Sequence, residues 1–280
     1  MRNLIDAIIT LVKTDTNNLS DMRQGDNRIN NMGYALEDYV KNLFSDSFNL
    51  TYADQIQCWS ETFSYIGNDA NPPDIMLKNG DAIEVKKIQS KDAALALNSS
   101  YPKQILLSTN HMISQACRDA EDWIKKDILY IVGVVAGRSL KHLCMIYGMD
   151  YCASEECYLN VYRRIKAGIE NIEGIEFSPT RELGRINRID PLGITYLRMR
   201  GMWHIENPWK VFSYIYQRNL NANFNFMCII GKDKWQTLAN RENLLSLQQK
   251  YPKLKISDVG IRNPDNPAKL NDAKLISYEM

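Results

Sequence analysis

The 280-residue chain has only three histidines, and its six cysteines, Cys58, Cys117, Cys144, Cys152, Cys157 and Cys228, form no Cys-x-x-Cys pair. That usage argues against both a zinc centre and a disulfide framework. No stretch approaches the run of about 18 apolar residues that a membrane span needs. The opening "MRNLIDAIITLVKTD" is broken by Asp6 and carries no small-residue cleavage site, so it predicts an amphipathic helix rather than a signal peptide. A cytoplasmic protein with no membrane contact is expected. Charge of one sign is also missing: 34 Lys and Arg oppose 33 Asp and Glu, a net charge of +1. Any site for a polyanion must therefore be a local patch. There is no internal repeat and no low-complexity tract.

What is present suits a globular protein with a sizeable core, since 45% of the residues are apolar. Apolar residues at helical spacing predict a helix from Asn31 to Phe44 after a polar, Asn-rich stretch, and others over Ser114–Lys126 and Glu155–Ile172. Strands are predicted at "ETFSYIG", on both sides of Asn79-Gly80, at "DILYIVGVVAG", at "LKHLCMIYGM" and at "NFNFMCIIGKDKW". The last twenty residues read as polar and turn-rich. Helices and strands without strict alternation indicate an α/β (mixed α+β) fold, a central mixed sheet flanked by helices. Residues 1–177 would form the core with the N-terminal helices. Residues 178–280 would form an arginine-rich and C-terminal region continuous with it.

The stretch "NPPDIMLKNGDAIEVKK", Asn71 to Lys87, concentrates the chemistry. Residues i and i+2 of a strand face the same way, so Glu84 and Lys86 project together. With Asp74 from the preceding strand, two hard carboxylates could hold Mg²⁺, and a lysine beside them could orient water or stabilise charge on a phosphoryl group. A solvated strand face explains Glu-x-Lys as simply. The chain even offers a second copy, Pro264-Asp265 with Asp272-Ala273-Lys274, which we set aside for want of an apolar strand to hold it. Register discriminates further. A two-residue Asn79-Gly80 loop would pair Asp74 with Val85 and turn it away from Glu84. A three-residue loop through Asn79, Gly80 and Asp81, a bulge, or an Asp74 just outside the ladder would bring the carboxylates to one side.

Pro73-Asp74, nine residues and then Glu84-Val85-Lys86 resemble the PD-(D/E)XK nuclease motif. Together, "GYALEDYVKNLF", "NPPDIMLKNGDAIEVKKI", "NRIDPLGITYLRMRGMW" and "NPDNPAK" are similar to the NgoPII-type family of type II restriction endonucleases, from about Gly33 to Lys269. The resemblance implies a PD-(D/E)XK core with Asp74, Glu84 and Lys86 catalytic and the two acids binding metal. It further implies a Mg²⁺-dependent homodimer that cuts double-stranded DNA at a short, GC-rich palindrome, GGCC being the family precedent. A cognate DNA methyltransferase is implied functionally, not as a bound partner. Many nucleases of the superfamily carry an acid on the helix before the motif, which makes Glu37 a further metal candidate; an ion pair with Lys41 is the plain alternative.

Lys87 and Gln89 are candidates for DNA contact, with solvation as the plainer explanation. Between Arg181 and Arg200 lie five arginines, Arg181, Arg185, Arg188, Arg198 and Arg200, and no lysine. Bidentate reading of guanine favours the planar guanidinium, whereas phosphate tracking would tolerate lysine. Period 2 puts Tyr196, Arg198 and Arg200 on one face with Leu197 and Met199 packed behind. Trp203 and Trp209 are expected in the core or at a dimer contact. Three other readings stay open: a structure-specific repair or recombination nuclease on the same core, a non-catalytic DNA-binding protein, and an interaction protein with no nucleic-acid role.

Overall fold

A computed structural model describes residues 2–19, 28–68, 71–90, 92–98, 100–180 and 182–280. Arg181 and the polar stretch before residue 28 lie outside them. The strands are β1 Phe63–Asn68, β2 Asn71–Leu77, β3 Ala82–Ile88, β4 Leu95–Asn98, β5 Ile105–Leu107, β6 Lys125–Ala136 and β7 Ser139–Tyr147. They continue with β8 Glu176–Phe177, β9 Gly184–Asn187, β10 Leu197–Met199, β11 Trp203–Ile205, β12 Asn225–Gly231, β13 Lys255–Arg262 and β14 Leu270–Glu279.

Continuous apolar runs, buried on both faces in β6, β7 and β12, build the middle of the main sheet, whose order is β1-β2-β3-β6-β7-β12-β14-β13 with β5 on the start of β6. Neighbours are antiparallel except β3 with β6 and β7 with β12, which gives the mixed sheet expected. Both faces are covered. On one, Ile75, Ile83, Val85, Leu129 and Ile131 pack under the helices Leu4–Thr14 and Arg28–Ser45. The first helix starts on a capping box, with the Asn3 side chain accepting from the Ile5 amide and Asp6 accepting from the Asn3 amide. The second inserts Leu36, Tyr39, Val40, Leu43 and Phe44, all fully buried. On the other face, Met76, Ala82, Ile88, Tyr130 and Val132 meet Leu97, Leu106, Trp209 and Phe212. Among the described residues, no helix is long and apolar enough to cross a membrane.

Two expectations about local structure fail. Ser114–Lys126 keeps only the one-turn helix Gln115–Arg118 before β6 begins at Lys125. Long-range pairing wins there: Glu121 ion-pairs Lys126 and accepts from the Asn79 amide, drawing the segment against the β2–β3 loop. The C-terminal stretch is not merely turns. It forms β14, hydrogen-bonded between β12 and β13, with Ala273, Leu275, Ile276 and Tyr278 buried among polar neighbours, and "NPDNPAK" is the loop that feeds it. The second Pro-Asp copy therefore does sit partly on a strand. Its residues are committed elsewhere, with Asp272 paired to Lys232, Lys274 to Asp258, and Asp265 accepting from the Ser154 amide.

Candidate active site

The β2–β3 hairpin decides where the motif points. Its link is three residues, Lys78-Asn79-Gly80, one position earlier than the loop expected. The Leu77 amide donates to the Asp81 carbonyl at 3.0 Å, and the Gly80 amide donates to the Leu77 carbonyl at 3.0 Å. Asn79 takes the left-handed φ of 55° that such a link needs, a conformation asparagine tolerates. Ile75 then pairs with Ile83, and the register continued outward sets Asp74 level with Glu84.

Braces from distant segments hold that loop. Lys126 Nζ donates to the Gly80 carbonyl at 2.7 Å and the Leu77 carbonyl at 3.2 Å. Asp81 accepts from the Tyr147 hydroxyl at 2.8 Å and pairs with Lys234 at 2.6 Å. Alongside, Gly67 of β1 is required because a Cβ there would come within 2.5 Å of the Pro73 carbonyl oxygen and 2.9 Å of that of Asp74.

Glu84 and Lys86 share the face of Ala82 and Ile88, while Val85 packs into the opposite core. The Lys86 ammonium lies 2.7 Å from Glu84 Oε2 and 3.4 Å from Asp74 Oδ2, and the Val85 amide donates to Asp74 Oδ2 at 2.7 Å. These three side chains line a cavity of ≈ 140 Å³ with Asn71, Tyr101 and Lys103. Burial, with the Glu84 charge behind it, pushes the Asp74 carboxyl up to about 7 against the opposing pull of Lys86 and the Val85 amide. Burial alone would lower Lys86, but Glu84 and Asp74 outweigh it and hold the ammonium above the usual lysine range. The lysine is charged at any working pH.

The remaining candidates divide. Glu37 is half-buried on its helix, and its charge contributes to the raised Asp74. Lys41, its alternative partner, instead pairs with Asp38 at 2.5 Å and lies over the Trp59 ring. Among the described residues, no three His, Cys, Asp or Glu side chains converge on a ready-made metal cage. Lys87 points to the opposite side of β3 from Lys86 and is partly shielded, and Gln89 is exposed beyond the strand end.

The arginines sit on a separate three-stranded sheet, β10-β9-β8. Arg198 and Arg185 are direct cross-strand partners, so their guanidinium groups share one side. Arg198 and Arg200 both bind Glu182, at 2.7 and 2.5 Å. Arg185 covers the Tyr196 ring at 4.8 Å, and Arg188, at a φ of 50°, pairs with Glu176 at 3.5 Å. The strand is shorter than expected, and Leu197 is 47% exposed instead of packed behind it, while Met199 tucks in against Gly184. Trp209 is buried in the main core, while Trp203 stands half-buried, edge-on to Tyr101 and Tyr158. A second cavity, of ≈ 410 Å³, runs from Glu182 and Arg200 to Trp203, Tyr101 and Met112, the last two shared with the first cavity.

The sequence motifs did not single out Lys103, Lys126 or Gly67. Gly67 alone left a signal, a glycine inside a strand pattern.

The sequence model of the NgoPII restriction endonuclease family matches residues 2–262. A type II restriction enzyme NgoPII from Neisseria gonorrhoeae is 58% identical over 279 residues, which cover 99% of this chain and 100% of the relative. No solved structure matches the chain. With the motif acids and the lysine gathered in one cavity, and the family model and the relative both spanning nearly the whole sequence, the chain belongs to the NgoPII restriction endonuclease family, a family of site-specific endonucleases.

Proposed function

We propose that the chain hydrolyses phosphodiester bonds of double-stranded DNA at a short GC-rich palindrome, GGCC by family resemblance, as a Mg²⁺-dependent homodimer. One observation carries this reading: Asp74 and Glu84 converge on the Lys86 ammonium inside a cleft that continues to Arg200. The donor set fits a hard divalent cation, since it offers two carboxylates and leaves room for water. The raised Asp74 points the same way, because a cation beside it would offset the burial and repulsion that keep it protonated. Asp74 and Glu84 would hold the ion, with Glu37 adding negative charge from the helix. When bound, Mg²⁺ supplies Lewis acidity toward a phosphoryl oxygen and acidifies a water. Lys86 supplies a fixed positive charge beside the phosphate, able to orient the attacking water and stabilise charge growing on the phosphoryl oxygens. Arg185, Arg188, Arg198 and Arg200 provide the surface for base and backbone, with Lys87 and Gln89 as peripheral backbone contacts. The protein would act in the cytoplasm beside a methyltransferase that protects the host's own sites.

Incubation of plasmid or phage DNA with the protein and Mg²⁺, followed by sequencing of the ends, tests the reading. Discrete fragments with one common end sequence are expected. A smear or junction-only cutting would favour the structure-specific nuclease, and intact DNA would leave a non-catalytic DNA-binding protein.

A further inference from the structure

Lys103 lies between β4 and β5, only 5% exposed, and lines the cleft with Asp74, Glu84 and Lys86. Its position is fixed from two sides. Its backbone amide donates to the Tyr130 hydroxyl at 2.8 Å, and Tyr130 is the direct ladder partner of Glu84 across β3 and β6. Gly148 presses on its carbonyl so closely that any Cβ there would overlap it. The ammonium donates to Ser100 Oγ and, at 3.1 Å, to the Tyr101 carbonyl, and it lies 4.3 Å from the centre of the Tyr101 ring.

All of those partners are neutral. Among the described residues, no carboxylate stands within ion-pair distance of Lys103, although Glu84 and Glu155 act on it from further away. A buried cation is ordinarily paired, because taking the charge out of water costs several kcal/mol. Here burial pushes the ammonium down to about 8. An ammonium also has three donors, and two are placed on neutral oxygens. A buried, unpaired cation at the rim of a cleft built for a phosphodiester lacks one thing, an anion.

We propose that Lys103 is a phosphate-binding residue of the catalytic cleft, its ammonium taking a non-bridging oxygen of the DNA phosphate seated against Glu84 and Lys86. The inference rests on the phosphodiesterase reading above and adds a second lysine to it. Lys86 is already paired with Glu84 and Asp74, whereas Lys103 brings a positive charge with no acid against it among the described residues.

The test compares wild type, Lys103→Met and Lys103→Arg. Lys103→Met is expected to lower kcat/KM for a cleavable duplex by about 10²-fold, with a Tm equal to or above wild type, since an unpaired buried charge has been removed. Lys103→Arg is expected to recover part of the activity. A binding arm with Ca²⁺ in place of Mg²⁺ uses a duplex carrying a neutral methylphosphonate at the scissile position. The binding deficit of Lys103→Met should shrink roughly fivefold on that duplex, as two changes to one contact do. Wild-type kcat and KM in Lys103→Met, an equal deficit on both duplexes, or an activity loss matched by a fall in Tm that Lys103→Arg does not repair would each overturn the proposal. If wild type itself cuts nothing, the parent reading fails and the proposal falls with it, whereas a cutting wild type with an equal deficit on both duplexes overturns the role of Lys103 alone.

Discussion

Arg198 presents Nε and Nη2 to the two oxygens of Glu182, at 2.9 and 2.7 Å, the same two-pronged geometry a guanidinium offers to a guanine edge. Arg200 adds its Nε to the same carboxylate at 2.5 Å. In the free protein, the groups suited to base reading are already occupied by an acid of their own lobe. If these arginines read bases as proposed, DNA has to compete with Glu182 for the Arg198 fork and for the Arg200 Nε, and a correctly spaced pair of acceptors would return what is lost.

Glu182→Gln should therefore strengthen binding to non-cognate duplex and make its log affinity fall more steeply with log salt, by a slope of about one. Discrimination between true and near-cognate sites should decline in parallel. Titration of a non-cognate duplex across a salt series reads both effects. An unchanged slope would mean that Glu182 keeps its arginines in the complex.

Arg198→Lys and Arg200→Lys retain charge and lose the fork. Each is expected to reduce preference for the true site by about 1–3 kcal/mol while non-specific binding and its salt slope barely change. Competitive cleavage of true against single-mismatch duplexes measures this. Unaltered preference in both variants would demote them to phosphate contacts and turn attention to Arg185 and Arg188.

Asp74→Ala, Glu84→Ala and Lys86→Ala should each lower cleavage by about 10²–10⁴-fold or more while specific binding survives, because affinity comes mainly from contacts elsewhere. Loss of either acid should strengthen metal-free binding by removing repulsion at the phosphate. Gel shifts without metal and single-turnover cleavage with Mg²⁺ separate the two effects. Near-wild-type cutting by any one variant would remove that residue from the chemistry.

The raised Asp74 makes stability depend on pH in a definite direction. Its carboxyl titrates near 3.8 when exposed and at about 7 in the fold, so the folded state binds the extra proton. The stabilisation this gives is complete below about pH 4 and is lost as pH rises through 7. Asp74→Asn should accordingly raise Tm at pH 8 relative to wild type, with the difference shrinking toward pH 5. Mg²⁺ or Ca²⁺ should raise Tm of the wild type at pH 8 and do so much less in Asp74→Asn. Thermal melts at three pH values, with and without the cation, would falsify the assignment if the two proteins ran parallel.

Period 2 was enough to put Glu84 and Lys86 together, and two continuous apolar runs were enough to place β6 and β7. It could not choose the register of Asp74, because Asn79-Gly80 suits a two-residue loop. The three-residue link is held by Lys126, Glu121, Tyr147 and Lys234, all distant in sequence. β14 was hidden for a related reason: its buried residues alternate among Asp, Lys and Ser, and only β12 and β13 on either side make it a strand. Lys103 carried no local mark, since nothing in "YPKQ" tells a buried lysine from a solvated one. The arginine bias was plain in the sequence, but its pairing with Glu182 depends on the turn back from β9 to β10.

The two-stranded ribbon of β4 and β11 has a mechanical meaning. Trp203 pairs with Asn98 and Ile205 with Leu95, while Leu97 and Asn98 form part of the catalytic cleft wall. Only Arg200, Gly201 and Met202 separate β11 from the strand that carries Arg198. The proposed reading strand and the proposed cleavage cleft are thus joined by a short, hydrogen-bonded linkage, stiffened where Trp203 meets Tyr101 and Tyr158. A guanidinium that swung from Glu182 to a base would strain that linkage at its near end, and the far end is the wall of the cavity that holds Asp74, Glu84 and Lys86. Fidelity in such a machine would be exercised at the cutting step as much as at the binding step.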